Sequence, residues 1–320
     1  MPDISKINAL AIGSVSKVDG LAKASILDID GVTIPAGVAP PLDSISGAYA
    51  GYSLRKLRTA YTGPCIQIRR SIVPLGLASA ADVNFSGDTI SLDSTITPVG
   101  ISSAGNLGQF LAASGYSDPD SLGSSATGFL EILYDQVEDG GTSRDISNST
   151  GSEQAILFDG TNFATDSQGL IKIDLDSNLF DGGLSYSQTV AQPYFYFVVS
   201  EKGVDNERLL QEGAQFKLQH RSTDVRQYDG ITVGTARSYS YTGTRQVFAG
   251  NWDGANSFLR VDGSQVGALD VGSASQTVIQ VGHSNDAPKG FLEMILFDST
   301  PSGTDISAME TNMNSYYTLF

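Results

Sequence analysis

The sequence predicts an all-β protein, an antiparallel two-sheet jelly-roll sandwich with a short C-terminal helix and a repeated N-terminal arm. Short strand-like runs separated by turn residues recur along most of the chain. Charged residues make up only 17% of the chain and glycine occurs 35 times, a balance that favours strands and turns over helices. Sustained helical spacing of apolar residues is found near the C-terminus.

The arm contains a unit of eleven residues repeated at 4–14, 15–25 and 26–36. Apolar residues recur at the same phases of each unit: Ile4, Val15 and Ile26 share one phase, and Ile7, Val18 and Ile29 another. A turn-forming pair follows, such as Asp19-Gly20. So small a unit cannot bury its apolar residues alone. We therefore expect short strands and turns that anchor the chain on partner subunits, with an unstructured leader as the alternative.

A segment rich in proline and glycine separates the arm from the rest of the chain. Residues 37–50 indicate a linker, because this composition favours an extended tether. The dense series of strand-like runs begins after it. We therefore divide the chain into an anchoring arm (1–36), a linker (37–50) and one jelly-roll domain (51–320).

The predicted strands are short apolar or alternating runs bounded by turn residues. They cover residues 65–69, 129–134, 155–158, 194–200, 216–220, 246–250, 257–261, 264–266, 277–281 and 291–297. The run YFYFVVS at 194–200 is typical of a strand that is buried on both faces. The pair Asp262-Gly263 predicts a tight hairpin between two of the runs.

Two helices are predicted. The first is short and covers residues 107–114. The second follows Pro301, where Ser307 and Glu310 are spaced as a capping box. Its apolar face consists of Ile306, Met309, Met313, Tyr316 and Tyr317.

The chain is strongly acidic, with 19 Lys and Arg against 35 Asp and Glu, a formal net charge of −16. Such a charge repels phosphate backbones and anionic lipid surfaces, so we expect no nucleic-acid partner. No stretch approaches the roughly 18 apolar residues of a membrane span. The start MPDISKINAL lacks the basic and apolar regions of a signal peptide. We therefore expect that the chain does not insert into a membrane. We also expect that it is synthesised in a cytoplasm.

The chain has one cysteine, Cys65, and two histidines, His220 and His283. This excludes an intrachain disulfide, a Cys-based zinc site and a His-rich metal cluster. With only two histidines, the chain also has few candidates for the base of a Ser-His-Asp triad. No phosphate-binding glycine loop is found, because the glycines lie between strand-like runs.

We expect no cofactor, with calcium as the one candidate ion. Asp174, Asp176, Asn178 and Asp181 space oxygen ligands like the start of a calcium loop. However, Leu179 stands where an EF-hand loop needs glycine. An ordinary acidic turn is the alternative.

The C-terminal part of the chain resembles the concanavalin-A-like lectin/glucanase (LamG-like) jelly roll. The resemblance rests on YFYFVVS, the hairpin SFLRVDGSQVG, and the ending VGHSNDAPKGFLEMILFDSTPSGTDISAMETNMNSYY. In that family the last pattern forms a glycine-bounded strand, a strand that ends in an acidic residue, and a short C-terminal helix.

The N-terminal part of the domain resembles the arabinofuranosidase-B catalytic-type module, through residues 48–71, 128–141 and 155–163. That module also occurs as a non-enzymatic building block in tailed-phage structural proteins, and the repeated arm resembles leader segments of phage virion proteins. The enzyme family carries an adjacent-cysteine disulfide in its substrate pocket, from which this chain departs with its single Cys65.

Together the resemblances imply a non-enzymatic structural protein of a tailed-phage virion, assembled in the host cytoplasm. Its arm would join other virion proteins, with a homotrimer expected, and its jelly roll would serve as a tail fibre, tail-tip adhesin or capsid decoration that contacts a host-surface glycan. The alternative is an arabinofuranosidase-like glycoside hydrolase. A bacterial surface lectin is a third hypothesis, which needs an export signal.

A glycosidase needs two carboxyl groups that face one sugar. The acids in or beside strand-like runs are Glu131, Asp135, Asp159, Glu293 and Asp298. On one strand Glu131 and Asp135 would share a face about 13 Å apart, which is too wide for a retaining pair and wide for an inverting pair. We therefore assign no catalytic residue.

Aromatic rings that stack on sugars, and neighbouring polar groups that bond their hydroxyls, are the candidates for a glycan contact. We predict such a contact at Trp252, Asp253, Asn256, Tyr239 and Tyr241, with the acids as hydroxyl acceptors. A buried core position is the alternative for Trp252.

Overall fold

Two antiparallel sheets pack face to face, which confirms the predicted fold class. The structure is a computed structural model. It describes residues 17–18, 21–22, 28–29, 32–33, 37–71, 78–90, 94–99, 105–112, 127–137, 144–151, 154–159, 162–174, 184–190, 194–201, 208–212, 216–220, 225–228, 245–268, 270, 276–281 and 290–319.

The elements follow one another as short strands with two helices. The first part contains β1 (Lys17–Val18), β2 (Leu21–Ala22), β3 (Asp28–Ile29), β4 (Val32–Thr33), β5 (Ala48–Ser53), β6 (Ile66–Arg70), β7 (Ala80–Val83), β8 (Thr95–Pro98), β9 (Gly105–Asn106), α1 (Leu107–Ala112), β10 (Gly128–Leu133), β11 (Ile146–Ser147) and β12 (Ile156–Phe158).

The second part contains β13 (Leu184–Val190), β14 (Tyr194–Glu201), β15 (Arg208–Glu212), β16 (Phe216–His220), β17 (Val225–Tyr228), β18 (Arg245–Trp252), β19 (Phe258–Val261), β20 (Ser264–Ala268), β21 (Gln276–Val281), β22 (Gly290–Phe297) and α2 (Gly303–Tyr317).

The large sheet has the strand order β17-β16-β15-β21-β13-β11-β10-β6-β7-β8-β9, with β12 paired to β10. The six-stranded sheet has the order β20-β19-β18-β14-β22-β5. Both sheets mix strands from distant parts of the chain; β22, for example, lies between β14 and β5.

The hairpin between β19 and β20 confirms the predicted turn. Asp262 has φ 48° and Gly263 φ 75°. Positive φ at both central residues is the requirement of a type I′ turn, whose twist matches that of the two strands it joins.

An apolar cluster fills the space between the sheets. The large sheet contributes Ile66 and Ile68, and the six-stranded sheet contributes Tyr196 and Val198 of β14. The alternate residues of β14, including Phe195, pack on the opposite face under α2. Strand β14 is therefore buried on both faces, as its continuous apolar run predicts.

Helix α2 covers the side of the six-stranded sheet that points away from the large sheet. It does so with Ile306, Met309, Met313 and Tyr317, four of the five predicted face residues. Tyr316 is half-buried. The predicted capping box is wrong, because the helix begins earlier: Ser302 is the N-cap, and its hydroxyl accepts from the Asp305 N–H at 3.1 Å.

The predicted linker is built into the domain. Residues Pro41–Asp43 form a 3-10 turn with Pro41 and Leu42 buried, and the Leu42 N–H donates to the Leu57 carbonyl at 2.9 Å. Ala48 begins β5, which pairs with β22. Proline and glycine mark a tight turn here, and burial of neighbouring apolar residues holds it against the sandwich.

Within the arm, the structure describes two short hairpins. Strand β1 pairs with β2 on either side of Asp19-Gly20, and β3 pairs with β4 on either side of Asp30-Gly31. The predicted strands are thus present in these two units, and the turn pairs between them lie outside the described residues. Ile4, Ile7, Val15 and Ile26 lie outside the described residues, and for Val18 and Ile29 the backbone is described.

A bulge in β22 creates a buried ion pair beneath α2. Opposite β14, Glu293 pairs with Val199 and Phe291 with Ser200, so Leu292 is the extra residue. The bulge places both Leu292 and Glu293 on the helix side of the sheet, because it interrupts the two-residue alternation.

The partner of Glu293 is Arg55, which follows β5. The Arg55 Nε and Nη2 atoms donate to the two Glu293 oxygens at 2.6 and 2.8 Å. The hydroxyls of Ser53 and Tyr317 donate to Oε2 at 2.9 and 3.0 Å. Burial by itself would lower the pKa of Arg55, but the Glu293 carboxylate raises it above its ordinary value.

Among the described residues, no helix is long and apolar enough to span a membrane.

Replacing Glu293 with glutamine should destabilise the fold by about 3 to 5 kcal/mol, since it leaves the Arg55 charge buried without a counter-charge. The double variant Arg55→Leu/Glu293→Leu is the control, because it removes both charges, and it should be less destabilised than Glu293→Gln. Urea unfolding measures both. Equal stability of Glu293→Gln and the native chain would contradict this role.

Candidate functional site

The face of the large sheet that points away from the core carries polar side chains on neighbouring strands. Ile66 and Ile68 of β6 are buried in the core, so Gln67 and Arg69 point to the opposite face. Asp82 of β7 lies opposite Gln67 in the ladder. We call this side of the large sheet the outer face.

At the centre of the outer face, Asp82 accepts two hydrogen bonds at Oδ1. The Tyr134 hydroxyl donates at 2.7 Å and the Gln67 amide at 2.9 Å. Burial, the hydrogen bond to Asp82 and the charges of Asp82 and Asp145 all raise the pKa of Tyr134, so its hydroxyl remains a donor. The Asp82 carboxylate is held in one orientation, and Oδ2 has no hydrogen-bond partner among the described residues.

A second carboxylate, Asp145, also acts on Tyr134. Its Oδ1 accepts the Asp135 N–H at 2.9 Å. Both Asp82 and Asp145 are half-buried. Within the described part of the chain, neither lies within ion-pair distance of a cation. The charges of both half-buried carboxylates thus act on one phenol.

Asp135 fastens this region to β5. Its Oδ1 accepts the N–H groups of Gly51 at 2.8 Å and Val137 at 2.9 Å. Its Oδ2 lies 3.8 Å from Arg144, whose guanidinium stacks on Tyr49 at 4.2 Å. Burial raises the pKa of Asp135 to about 6, although the two N–H groups and Arg144 act in the opposite direction.

Arg69 lies farther along the same face. It donates to the Gln154 side chain from Nε at 2.6 Å and to the Gly151 carbonyl from Nη2 at 3.0 Å. Its guanidinium lies 4.7 Å from the centre of the Phe129 ring. Three contacts thus hold this cation, and both of its hydrogen-bond acceptors are neutral.

The other buried acids are matched to cations and serve the fold. Asp166 lies 3.1 Å from Arg245, and Glu201 lies 3.5 Å from Lys172. Burial raises the pKa of Asp166, against the charge of Arg245. Glu310 of α2 accepts two hydrogen bonds from Arg260. Because each carboxylate already has its counter-charge, these groups offer less to a ligand.

The predicted glycan contact is not assembled among the described residues. Trp252 is 0% exposed, and its ring centroid lies 4.7 Å from that of Tyr196. Trp252 therefore occupies a buried core position, which is the alternative for this residue. Asp253 is half-buried beside the 3-10 turn that holds the exposed Asn256. Tyr239 and Tyr241 lie outside the described residues.

The expected shared face of Glu131 and Asp135 is also corrected. Strand β10 shifts register against β6 between Leu130 and Ile132, so Glu131 occupies a bulge, and the strand ends at Leu133. The bulge breaks the alternation from which the spacing of 13 Å follows.

The remaining predicted acids lie apart from one another in the fold. Asp159 is exposed and accepts the Asn162 N–H at 2.7 Å. Asp298 is exposed after β22, and Glu293 belongs to the ion pair with Arg55.

Of the predicted calcium ligands, Asp174 forms an isolated bridge with Ile156. Asp176, Asn178 and Asp181 lie outside the described residues. In the described part of the chain, no group of three or more His, Cys, Asp or Glu side chains could hold a metal ion.

Gln67, Asp82, Tyr134 and Asp145 are not among the site residues predicted from the sequence. The alternation of CIQIRR does place Gln67 and Arg69 on one face. The pairing of β6 with β7 and β10, which brings Asp82 and Tyr134 to Gln67, has no local signal.

The fold is similar to that of solved glycoside hydrolases. A GH54 α-L-arabinofuranosidase, soaked with a cyclic sulfate inhibitor, aligns over 84% of this chain and 63% of its own, with 13% identity and a TM-score of 0.53. An arabinofuranosidase in complex with arabinofuranosyl-α-1,2-xylobiose aligns over 88% and 65%, with 14% identity and a TM-score of 0.51. This chain therefore spans less than two thirds of the length of either enzyme. No protein-family model and no curated protein matches the sequence.

These comparisons contradict the interpretation as a non-enzymatic protein of a phage virion. The similar structures are glycoside hydrolases, and none of those named is a virion protein. They favour the alternative hypothesis, an arabinofuranosidase-like hydrolase, although at this identity the similarity shows the fold alone. A fold of this kind does not specify a reaction, so the residues of the site decide which chemistry is possible.

Lowering the pH should stabilise the native chain relative to Asp135→Asn. Because the folded state raises the pKa of Asp135 to about 6, it binds the proton more tightly than the unfolded chain does. The stability difference should therefore change by on the order of 2 to 3 kcal/mol in favour of the native chain between pH 7 and pH 4. Urea unfolding of both proteins across this range measures it, and a constant difference would contradict the assignment.

Replacing Trp252 with alanine should lower stability by about 3 to 5 kcal/mol, since it empties a buried site in the core. The neighbouring Asp253→Ala, at a half-buried position, is the control and should cost less than about 1 kcal/mol. Thermal unfolding measures both. A Trp252→Ala protein of native stability with weakened glycan binding would restore the surface hypothesis.

Proposed function

We propose that this chain is a carbohydrate-active domain of the arabinofuranosidase type, and that it hydrolyses a furanosyl glycoside at the outer face. The observation that carries the proposal is the similarity of fold to arabinofuranosidases over 84 to 88% of this chain. Glycoside hydrolysis requires two carboxyl groups near one bond, and the proposal assigns both to this face.

Asp82 and Asp145 are the carboxylates that we assign to this chemistry. Asp82 accepts the Tyr134 hydroxyl, and the charge of Asp145 also acts on Tyr134. Both are half-buried, and neither is within ion-pair distance of a cation among the described residues. Tyr134 and Gln67 hold Asp82 in place, as a nucleophile or a base requires. Asp145 keeps one oxygen without a described hydrogen bond, which suits an acid that must reach the leaving oxygen.

The single cysteine sets this chain apart from the enzyme family that its sequence resembles. Cys65 is fully buried, and its thiol contacts the Ser53 carbonyl at 3.4 Å. A pocket disulfide therefore cannot form within this chain. In this proposal the walls that orient the substrate come from strands β6, β7 and β10.

The arm remains a separate prediction. Residues 1–36 are predicted to join copies of the same chain as a homotrimer and to bind other proteins of a larger particle. The domain is predicted to bind a surface glycan. None of these predictions depends on the chemistry of the outer face.

The full chain should release 4-nitrophenol from 4-nitrophenyl α-L-arabinofuranoside, the compound soaked into one of the similar enzymes. Asp82→Asn and Asp145→Asn should each reduce kcat/KM by roughly 100-fold or more while the protein stays folded. Asp159→Asn is the matched control, because Asp159 is exposed in a separate turn and asparagine can keep its hydrogen bond.

Two results would contradict the proposal. One is the absence of turnover on this compound and on arabinan and arabinoxylan. The other is turnover that Asp82→Asn and Asp145→Asn both leave at the native rate.

A further inference from the structure

The guanidinium of Arg69 is held ready on the outer face and one of its two bonding edges is open. Nε and Nη2 form one edge, which donates to Gln154 and to the Gly151 carbonyl. The end edge, formed by Nη1 and the second proton of Nη2, has no partner among the described residues. An open guanidinium edge matches the two oxygens of a carboxylate.

The surroundings of Arg69 make it a prepared site. The Gln154 side chain is itself buried and donates to the Asn148 carbonyl at 2.8 Å, so the acceptor that orients Arg69 is fixed. The Phe129 ring supports the flat side of the guanidinium at 4.7 Å. A cation that is already ordered loses little conformational freedom when a ligand binds.

Arg69 differs from several other arginines of this chain in having no acidic partner among the described residues. Acids outnumber bases 35 to 19, and the cations Arg55, Arg245 and Arg260 each have a carboxylate within 3.1 Å. Arg69 bonds to neutral acceptors, so its charge remains available. The negative charges of the rest of the molecule repel anionic ligands, and a fixed cation is the feature that would select one.

The position of Arg69 relates it to the proposed reaction site. Arg69 and Gln67 are two residues apart on one face of β6, which corresponds to about 7 Å along the strand. That distance is comparable to one sugar unit, and Gln67 bonds directly to Asp82. A saccharide whose scissile bond lies at Asp82 would therefore bring its neighbouring unit to Arg69.

We propose that Arg69 forms a subsite for the carboxylate of a uronic acid, so that the preferred ligand is a saccharide with an acidic unit beside the neutral furanosyl unit. This inference rests on the proposed function for the position of the scissile bond. The subsite itself is a binding site, and it can be measured whether or not the chain hydrolyses the ligand.

Affinity gel electrophoresis of the full chain tests the subsite, with neutral arabinoxylan and glucuronic-acid-bearing arabinoxylan as the two probes. The native chain should bind the acidic polymer at least tenfold more tightly, and this preference should fall as salt rises because the contact is ionic. Arg69→Gln should abolish the preference and leave binding of the neutral polymer unchanged. Arg69→Lys should keep part of it, since the charge remains.

Arg260→Gln is the matched control. It removes the same charge from β19, in the opposite sheet beside α2, and should leave the preference intact. Thermal unfolding of each variant shows whether it is folded. If Arg69→Gln does not fold, Arg69→Lys keeps the test decisive.

Equal affinity of the native chain for the two polymers, or a preference that survives in folded Arg69→Gln, would overturn the inference. Tighter binding of a sulfated arabinoxylan than of the uronate form would overturn the choice of a carboxylate. Hydrolysis without the preference would sink this inference alone. The preference without hydrolysis would support the subsite and count against the proposed function.

Discussion

The buried ion pair between Arg55 and Glu293 is the interaction on which the architecture depends. It joins three elements that are distant in sequence: the end of β5, the bulge in β22 and, through Tyr317 and Asn312, helix α2. Charges this deeply buried are tolerated only when they are paired and hydrogen-bonded, so all three elements must be in place together. The pair thereby fixes α2 on the six-stranded sheet.

The same electrostatic rule divides the carboxylates of this acidic chain into two groups. Glu293, Asp166 and Glu310 lie in the interior or under α2, and each is matched by an arginine. Asp82 and Asp145 are half-buried and meet hydrogen-bond donors instead. An unmatched carboxylate is tolerable where water reaches it and costly where water does not. Asp82 and Asp145 therefore lie where water can reach them, without a cation partner among the described residues.

The similarity to arabinofuranosidases is a similarity of fold. Any chemistry depends on the residues of this chain. A β-sandwich supports binding proteins and enzymes alike, so the fold by itself does not decide between them. The comparisons overturned the interpretation as a phage structural protein, which rested on short resemblances and on the repeated arm. The hydrolase proposal combines that fold with the assignment of Asp82 and Asp145, and it stands or falls with the chemistry of these two residues.

The sequence by itself determined the local features of this protein. Each of the ten predicted apolar or alternating runs coincides with a strand of the structure. Asp262-Gly263 located a hairpin, and the spacing of Ile306, Met309 and Met313 located the face of α2. Each depends on neighbours within a few residues, whose geometry the chain dictates. The tertiary structure decided which polar groups meet. Gln67, Asp82 and Tyr134 come together only when β6 pairs with β7 and β10, and Trp252 is buried only because a second sheet covers it. Such contacts arise from the packing of distant segments, which no local pattern encodes.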